Sequence, residues 1–117
     1  MAIKAIVFDL DDTLLDTTGL LIPIARTPAF HDRIRQPLPL LDGAKENLEV
    51  LSKKYNLYLL TQGHVESQQA KVKSCGITHY FKDFFFTDPT KNESKYDYFL
   101  QLKKSLGLKD GEFLSIG

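Results

Sequence analysis

The chain has 117 residues, enough for one domain with a single hydrophobic core but short for two. Its 43% hydrophobic and 26% charged residues are typical of a folded globular protein and exclude the disordered, fibrous and membrane classes. Fifteen basic side chains balance fifteen acidic ones, so no net charge attracts nucleic acid or an anionic membrane, and we expect neither as a partner.

The apolar stretches are too short to cross a bilayer, because runs such as 5–8 and 57–60 are far below the roughly 20 residues required. The N-terminus lacks a basic leader followed by a long apolar region and a cleavage site, so we expect a cytoplasmic protein. Cys75 is the only cysteine, which excludes an intramolecular disulfide and a cysteine-based zinc cluster. We expect its thiol to fill apolar space near a helix end.

The first predicted element is a strand over residues 3–8, a nearly continuous apolar run rich in β-branched side chains. Such a run is typical of a strand buried on both faces, and it therefore indicates a parallel sheet. Glycine and proline then recur between residues 17 and 40, a pattern that breaks long helices and central strands. We predict a flap there, with one short helical turn near 29–34.

The next elements are a helix and a second strand. Asp42 is expected to cap a helix over 43–54, and the apolar run 57–60 predicts a buried strand that is stopped by the following Thr-Gln-Gly. A polar helix should follow over 64–75. Gly76 is well suited to end it in a left-handed conformation.

The C-terminal part of the chain repeats this alternation. Residues 84–87 predict a third strand, Ser94 is expected to cap a helix over 95–106, and residues 112–116 begin a fourth apolar run. Strands that alternate with helices favour right-handed parallel crossovers. The fold class is therefore predicted to be α/β, a three-layer α/β/α sandwich around a Rossmann-like parallel sheet.

Reactive side chains follow the predicted strands at the ends where such sheets bind ligands. Asp9 and Asp11 follow the first strand, Thr61 the second and Asp88 the third, and Lys95 opens the helix after it. Because the carboxyl ends of parallel strands meet at one edge of the sheet, we expect these groups to converge there. Asp9 and Asp11 are two residues apart, so on extended backbone their side chains can point the same way into one pocket.

Two of these segments resemble signatures of the haloacid dehalogenase (HAD) superfamily. Residues 8–14 (FDLDDTL) resemble its first signature, Asp-x-Asp-x-Thr after a buried strand, and residues 59–63 (LLTQG) resemble its second, an apolar strand that ends in Thr or Ser. The resemblance extends over residues 1–117, which we interpret as one HAD-like core domain. It is least typical over 17–40, the flap or minimal cap region.

The resemblance implies a magnesium-dependent phosphohydrolase. Asp9 would attack phosphorus to form an aspartyl-phosphate, and Asp11 would protonate the leaving oxygen and then activate water. The resemblance further implies that Asp9, through its carboxylate, and Asp11, through its backbone carbonyl, bind Mg²⁺. Thr61 would bind a phosphoryl oxygen, assisted by the backbone amide of Gln62 just before a helix N-terminus.

The third signature of the superfamily is a lysine that neutralises the charge of the phosphate and the nucleophile. Lys95, at the start of a helix, is the best placed, and Lys91 is the alternative. Asp12 is expected to orient the turn after the first strand, and Asp88, which precedes a proline, is expected to act in a turn or cap. His64 is interpreted as a solvated surface residue.

The sequence departs from the superfamily pattern in two places. An acidic pair normally follows the fourth strand, but this sequence ends at residues 115–117, so we expect a longer natural protein in which a fifth strand and its helix follow. The flap over 17–40 is much shorter than a typical cap domain. The resemblance implies that an open site of that kind acts on larger or protein-borne phosphates. The substrate expected overall is a phosphorylated small molecule or a protein-borne phosphate.

Three other functions compete with this prediction. A response-regulator receiver domain has a similar length and alternation, but its phosphate acceptor should end the third strand, whereas here the aspartate pair follows the first. A catalytically impaired HAD-fold fragment or binding module would keep the fold without the activity. A dehalogenase is disfavoured, because it does not need a second aspartate as an acid.

Overall fold

The computed structural model describes residues 3–91 and 94–117. The strands are β1 (Ala5–Phe8), β2 (Asn56–Gln62), β3 (Asp83–Thr87) and β4 (Phe113–Ile116). The α-helices are α1 (Thr17–Leu20), α2 (Pro28–Arg33), α3 (Ala44–Ser52), α4 (Val65–Cys75) and α5 (Lys95–Ser105), and three 3₁₀ turns occur at Ile22–Ile24, Thr78–Tyr80 and Pro89–Lys91. Within this described part, no helix is long and apolar enough to span a membrane.

The four strands form one parallel sheet in the order β3-β2-β1-β4. Strand β1 is central and pairs with β2 on one side and β4 on the other. Strands β2 and β3 therefore extend the sheet on one side of β1, and the chain then crosses over to add β4 on the other side. This order agrees with the Rossmann-like prediction. It differs from the order 2-1-3-4-5 of flavodoxin-like receiver domains, in which the third strand lies next to the first.

Helices cover both faces of the sheet, because each central strand buries side chains on both sides. One face packs against α3 and α4 through buried residues that include Ile6, Phe8, Leu48, Leu57, Leu59 and Val72. The opposite face packs against α5 through Ala5, Val7, Tyr58, Leu60 and Leu102. The alternation of neighbouring β1 and β2 residues between the two cores explains why both sequences read as continuous apolar runs. The predicted three-layer α/β/α architecture is confirmed.

The helix ends test the local predictions. Gly76 ends α4 with a left-handed φ of 68°, and the Ser94 side chain accepts a hydrogen bond from the Asp97 backbone at the start of α5, as predicted. The prediction that Asp42 caps α3 is wrong. Gly43 occupies the cap position with φ of 81°, and no side chain caps this helix. A left-handed turn is accessible to glycine without the steric cost that other residues incur, which selects Gly43 for this position.

The flap is more helical than predicted. It contains α1 and one 3₁₀ turn in addition to the expected helix near 29–34, which the structure places at Pro28–Arg33. Leu21, Ile34 and Leu38 from this segment are buried in the main core, so the flap packs onto the domain. Two hydrogen bonds to Ser74 of α4 hold the C-terminal part of the flap. The Ser74 hydroxyl donates to the Ile34 carbonyl at 2.5 Å, and the Leu38 backbone N–H donates to the Ser74 carbonyl at 2.9 Å.

Candidate active site

The loop after β1, residues 9–16, is called the acidic loop. It brings the acidic residues to the point where the strand order reverses. The backbone N–H groups of Thr13, Leu14 and Leu15 all donate to the Leu10 carbonyl, which closes the loop into a tight turn. Asp12 lies inside this turn with a left-handed φ of 58°, a conformation that aspartate tolerates better than most residues. The turn places Asp9 and Asp11 at the carboxyl edge of the sheet, where ligands bind in folds of this class.

Asp9 forms an ion pair with Lys95. The Lys95 ammonium lies 2.9 Å from Oδ1 of Asp9, and the same oxygen accepts a hydrogen bond of 2.8 Å from the Leu10 backbone N–H. Both side chains are partly exposed, which leaves the pair accessible to a ligand. Lys91, the alternative for this role, lies in the 3₁₀ turn Pro89–Lys91. The observed contact with Asp9 favours Lys95, and its role in binding phosphate stays a prediction.

Asp11 is held by three donors from two helices. Its Oδ1 accepts from the Thr17 hydroxyl at 2.6 Å and from the Lys71 ammonium at 3.1 Å. Its Oδ2 accepts a longer hydrogen bond, 3.3 Å, from the side-chain amide of Gln68. Thr17 begins α1 in the flap, whereas Lys71 and Gln68 lie on α4. The carboxylate of Asp11 is therefore held by the flap and by α4 together, although Asp11 itself lies in a loop.

Thr61 is close to this network but does not face solvent. Its side chain is fully buried, and its hydroxyl donates to the side-chain oxygen Oε1 of Gln68 at 3.1 Å. Gln68 thus connects Thr61 with Asp11. The structure extends β2 through Thr61 to Gln62, whose exposed side chain comes shortly before the start of α4. To bind a phosphoryl oxygen, the Thr61 hydroxyl would have to exchange Gln68 for the ligand, so its predicted role remains untested.

Two further carboxylates have structural partners. The side chain and backbone N–H of Thr18 both donate to Asp12, and these bonds hold the pKa of Asp12 below its usual range. The side chain and backbone N–H of Thr90 do the same for Asp88, whose pKa is also lowered. Both aspartates therefore organise local turns, Asp12 by attaching the acidic loop to α1 and Asp88 by opening the 3₁₀ turn after β3.

A cavity of about 350 Å³ opens beside the nucleophile candidate. Asp9 and Lys95 contribute its charged groups, and the side chains of Tyr96 and Phe99 from α5 contribute apolar surface. A larger cavity of about 530 Å³ lies between β3 and α5 and includes Tyr98. It contains none of the residues that follow β1, so we assign the chemistry to the smaller cavity.

Sequence reasoning missed Gln68, Lys71 and Thr17. The sequence predicts a polar helix over 64–75, yet Gln68 and Lys71 are both only 5% exposed. Gln68, Lys71 and Val72 recur at helical spacing and form the inner side of α4, which is the signal that could have identified a buried face. Polar residues at such positions are normally assigned to solvent, because burial of an amide or ammonium requires partners that sequence does not reveal.

The donors in this loop fit Mg²⁺ in kind. The Asp9 carboxylate and the Asp11 backbone carbonyl are hard oxygen ligands, which this ion prefers. Within residues 3–91 and 94–117, no group of three His, Cys, Asp or Glu side chains is arranged to hold a metal. The two oxygen ligands match this ion in kind only, and waters and substrate oxygens commonly complete its octahedron in proteins.

The chain belongs to the haloacid dehalogenase-like hydrolases, because the model of that family matches residues 21–117. The matched range begins after the acidic loop, so it is independent of the signature over residues 8–14. The recognition from sequence is thus confirmed by a different part of the chain. A search of curated proteins found no significant match.

Solved structures of the same family share this fold. A haloacid dehalogenase-like hydrolase from Streptococcus pneumoniae has a TM-score of 0.72 and 21% identity, covering 98% of this chain and 75% of that one. The L-2-haloacid dehalogenase from Xanthobacter autotrophicus has a TM-score of 0.69 and 18% identity, covering 97% and 69%. A HAD-hydrolase from Bacillus subtilis, solved with magnesium, has a TM-score of 0.55 and 19% identity, covering 74% and 64%. At these identities the likeness establishes the fold, and the reaction has to be argued from the site.

Proposed function

We propose that this protein is a phosphohydrolase that transfers a phosphoryl group first to Asp9 and then to water. The observation that supports this most strongly is the 2.9 Å ion pair between Asp9 and Lys95 beside the central strand. A cation in this position offsets the charge that accumulates when an anionic phosphoryl group meets a carboxylate nucleophile. Asp11, two residues further along the same loop, supplies a second carboxyl group for proton transfer.

The contacts of Asp9 suggest which of its oxygens reacts. Oδ1 accepts from Lys95 and from the Leu10 N–H, which orients the carboxylate and directs attack through Oδ2. Formation of the bond from Oδ2 to phosphorus breaks the bond to the leaving oxygen and yields an aspartyl-phosphate. Asp11 gives a proton to the leaving oxygen. It then takes a proton from the water that attacks phosphorus and releases Asp9.

Magnesium is part of the proposal, because the two signatures imply it and the Bacillus subtilis relative was solved with this ion bound. The Asp9 carboxylate and the Asp11 carbonyl would hold it, and it would supply positive charge to the phosphoryl oxygens. Thr61 and the Gln62 amide would hold another phosphoryl oxygen, with the Thr61 hydroxyl leaving its contact with Gln68. We further propose a phosphorylated small molecule or protein as the substrate and a cytoplasmic location, both from the sequence alone.

A haloacid dehalogenase reaction is the alternative raised by the Xanthobacter relative. Asp11 favours phosphoryl transfer, because an alkoxide leaving group requires a proton and a halide does not. Incubation with a 2-haloacid and with an aryl phosphate separates the two reactions directly. Halide release without phosphate release would contradict the proposal.

The decisive variant is Asp9→Asn, because an amide is a poor nucleophile. Magnesium-dependent release of phosphate from an aryl phosphate should fall by at least about a thousandfold. Asp16→Asn is the matched control, since it neutralises a nearby carboxylate that caps α1 and an asparagine can cap equally well. Wild-type rates in Asp9→Asn would exclude it as the nucleophile.

The acid role of Asp11 predicts a dependence on the leaving group. Asp11→Asn should slow hydrolysis of alkyl phosphates by about a hundredfold or more and that of aryl phosphates much less, because a phenolate needs no proton to depart. The measurement is kcat/KM for both ester types under identical conditions. Equal losses would contradict the acid role and leave the nucleophile assignment unaffected.

Beryllium or aluminium fluoride tests the phosphoryl site itself. With magnesium, either fluoride should bind at Asp9 and contact Thr61 and Lys95, because these ions mimic a phosphoryl group. A crystal structure or fluorine NMR would show the contacts. If Lys91 were the lysine in contact, the assignment of Lys95 would be wrong while the proposed reaction would stand.

A further inference from the structure

Lys71 is buried beside the acidic loop, although nothing in the proposed reaction yet uses it. It is the one charged residue in the described segments 3–91 and 94–117 that is buried, with 5% of its surface exposed. Its ammonium lies 3.1 Å from Oδ1 of Asp11 and 5.9 Å from the centre of the Phe30 ring in the flap. Removal of an ammonium from water is unfavourable unless the charge is paired, so the ion pair with Asp11 is what makes the burial of Lys71 tolerable.

A purely packing role would not require the charge at this position. The stem of a lysine can be replaced by the unbranched apolar side chain of methionine, and buried ion pairs are often no more stable than apolar residues of similar volume. What the charge does contribute is orientation. It binds one particular oxygen of Asp11, the same Oδ1 that accepts from the Thr17 hydroxyl.

The two oxygens of Asp11 are held unequally. Oδ1 has two donors, Thr17 at 2.6 Å and Lys71 at 3.1 Å, whereas Oδ2 has a 3.3 Å contact with the Gln68 amide. The carboxyl group can therefore exchange its Oδ2 partner at lower cost than its Oδ1 partners, since long hydrogen bonds are weaker and charge-assisted ones are stronger.

We propose that Lys71 is a positioning residue that anchors Oδ1 of Asp11 and so presents Oδ2 to the leaving-group oxygen of the substrate. This inference rests on the proposed phosphohydrolase function and specifies how Asp11 performs its part. Proton transfer requires the two oxygens to approach within hydrogen-bond distance. A carboxyl group that rotates freely in a loop would adopt that geometry only part of the time, and the bond to α4 removes this freedom.

The test compares Lys71→Met, Lys71→Arg and the control Lys73→Met in the full-length protein. Lys73 is on the same helix but exposed. Steady-state kcat and KM are measured for 4-nitrophenyl phosphate and for a panel of alkyl phosphates. Lys71→Met should lower kcat about a hundredfold for alkyl esters and less than about tenfold for the aryl ester, with KM little changed. Lys71→Arg, which retains the charge, should lose less, and Lys73→Met should match the wild type.

Combination with Asp11→Asn gives a second criterion. If Lys71 acts through Asp11, then Lys71→Met should cause no further loss for alkyl esters in the Asp11→Asn background. Thr17→Val provides an independent variant, because it removes the other donor to Oδ1 and should show the same dependence on the leaving group. It keeps the test valid if Lys71→Met does not fold.

A readout without turnover accompanies the kinetics. Fluorine NMR of the magnesium–beryllium fluoride complex should be unchanged in Lys71→Met, because Asp9 and Lys95 do not depend on Lys71 for their contact. Equal losses for aryl and alkyl esters, or a lost fluoride complex, would overturn the positioning role and indicate a structural one. A wild-type enzyme active on the aryl ester but on no alkyl ester would also overturn it. Absence of any phosphate release by the wild type would overturn the proposed function itself, and this inference with it.

Discussion

Thr61 and Thr87 form a natural pair for a quantitative test of the structure. They lie on the neighbouring strands β2 and β3, near the carboxyl edge of the sheet, and both are fully buried. The Thr61 hydroxyl donates to Gln68 at 3.1 Å, whereas the Thr87 hydroxyl has no hydrogen-bond partner within the described residues. Replacement of each by valine, which has nearly the same shape, should therefore have opposite effects on stability.

The magnitudes follow from the partners. A buried polar group without a partner costs about 1–3 kcal/mol, so Thr87→Val should raise the free energy of unfolding by about 1 kcal/mol. Thr61→Val removes one hydrogen bond and leaves the side-chain oxygen of Gln68 without its donor, so the free energy of unfolding should fall by about 1–2 kcal/mol. For a domain of 117 residues, 1 kcal/mol corresponds to about 4 °C in Tm.

Urea unfolding followed by circular dichroism measures both variants on the same scale, with phosphate release as a parallel readout. Thr61→Val should also impair activity if the hydroxyl binds the phosphoryl group, whereas Thr87→Val should not. Destabilisation by Thr87→Val would refute the reasoning, because it would show that the hydroxyl is satisfied, by an ordered water for example.

Three further predictions follow from burial and backbone geometry. Burial raises the pKa of the Cys75 thiol to about 11, so its reaction with a disulfide reagent should accelerate about tenfold per pH unit from about pH 8 to about pH 10; a rate independent of pH would contradict this. Gly63→Ala places a Cβ 2.5 Å from the side-chain amide nitrogen of Gln68, at a residue whose φ is 152°. The free energy of unfolding should fall by at least about 1 kcal/mol and the side-chain amide NMR signals of Gln68 should shift; unchanged signals would argue against this contact. Leu59→Ala should cost about 2–5 kcal/mol, and Val50→Ala, at an exposed position, less than about 0.5 kcal/mol, in urea unfolding; similar losses would contradict the assignment of the core.

The main features of the fold could be predicted because they are encoded locally. A strand buried on both faces requires a continuous apolar run, and the runs at 3–8 and 57–60 appear as β1 and β2. Gly76 and Ser94 end or begin helices through their own backbone freedom or hydroxyl group, which needs no distant partner. The cap of α3 was misassigned to Asp42, because the adjacent Gly43 competes for the same position and only the path of the backbone decides between them.

The sequence by itself placed Asp9, Asp11 and Lys95 at the ends of elements that meet at one sheet edge, because the direction of parallel strands brings their carboxyl ends together. It could not indicate that Lys71, sixty residues from Asp11 along the chain, binds that carboxylate. The identity of a lysine or glutamine does not reveal whether its side chain is buried. Burial of Lys71 and Gln68 depends on the partners that the packing of α4 against the flap and the acidic loop brings to them. The tertiary structure therefore decided which polar residues of the chain became part of the site.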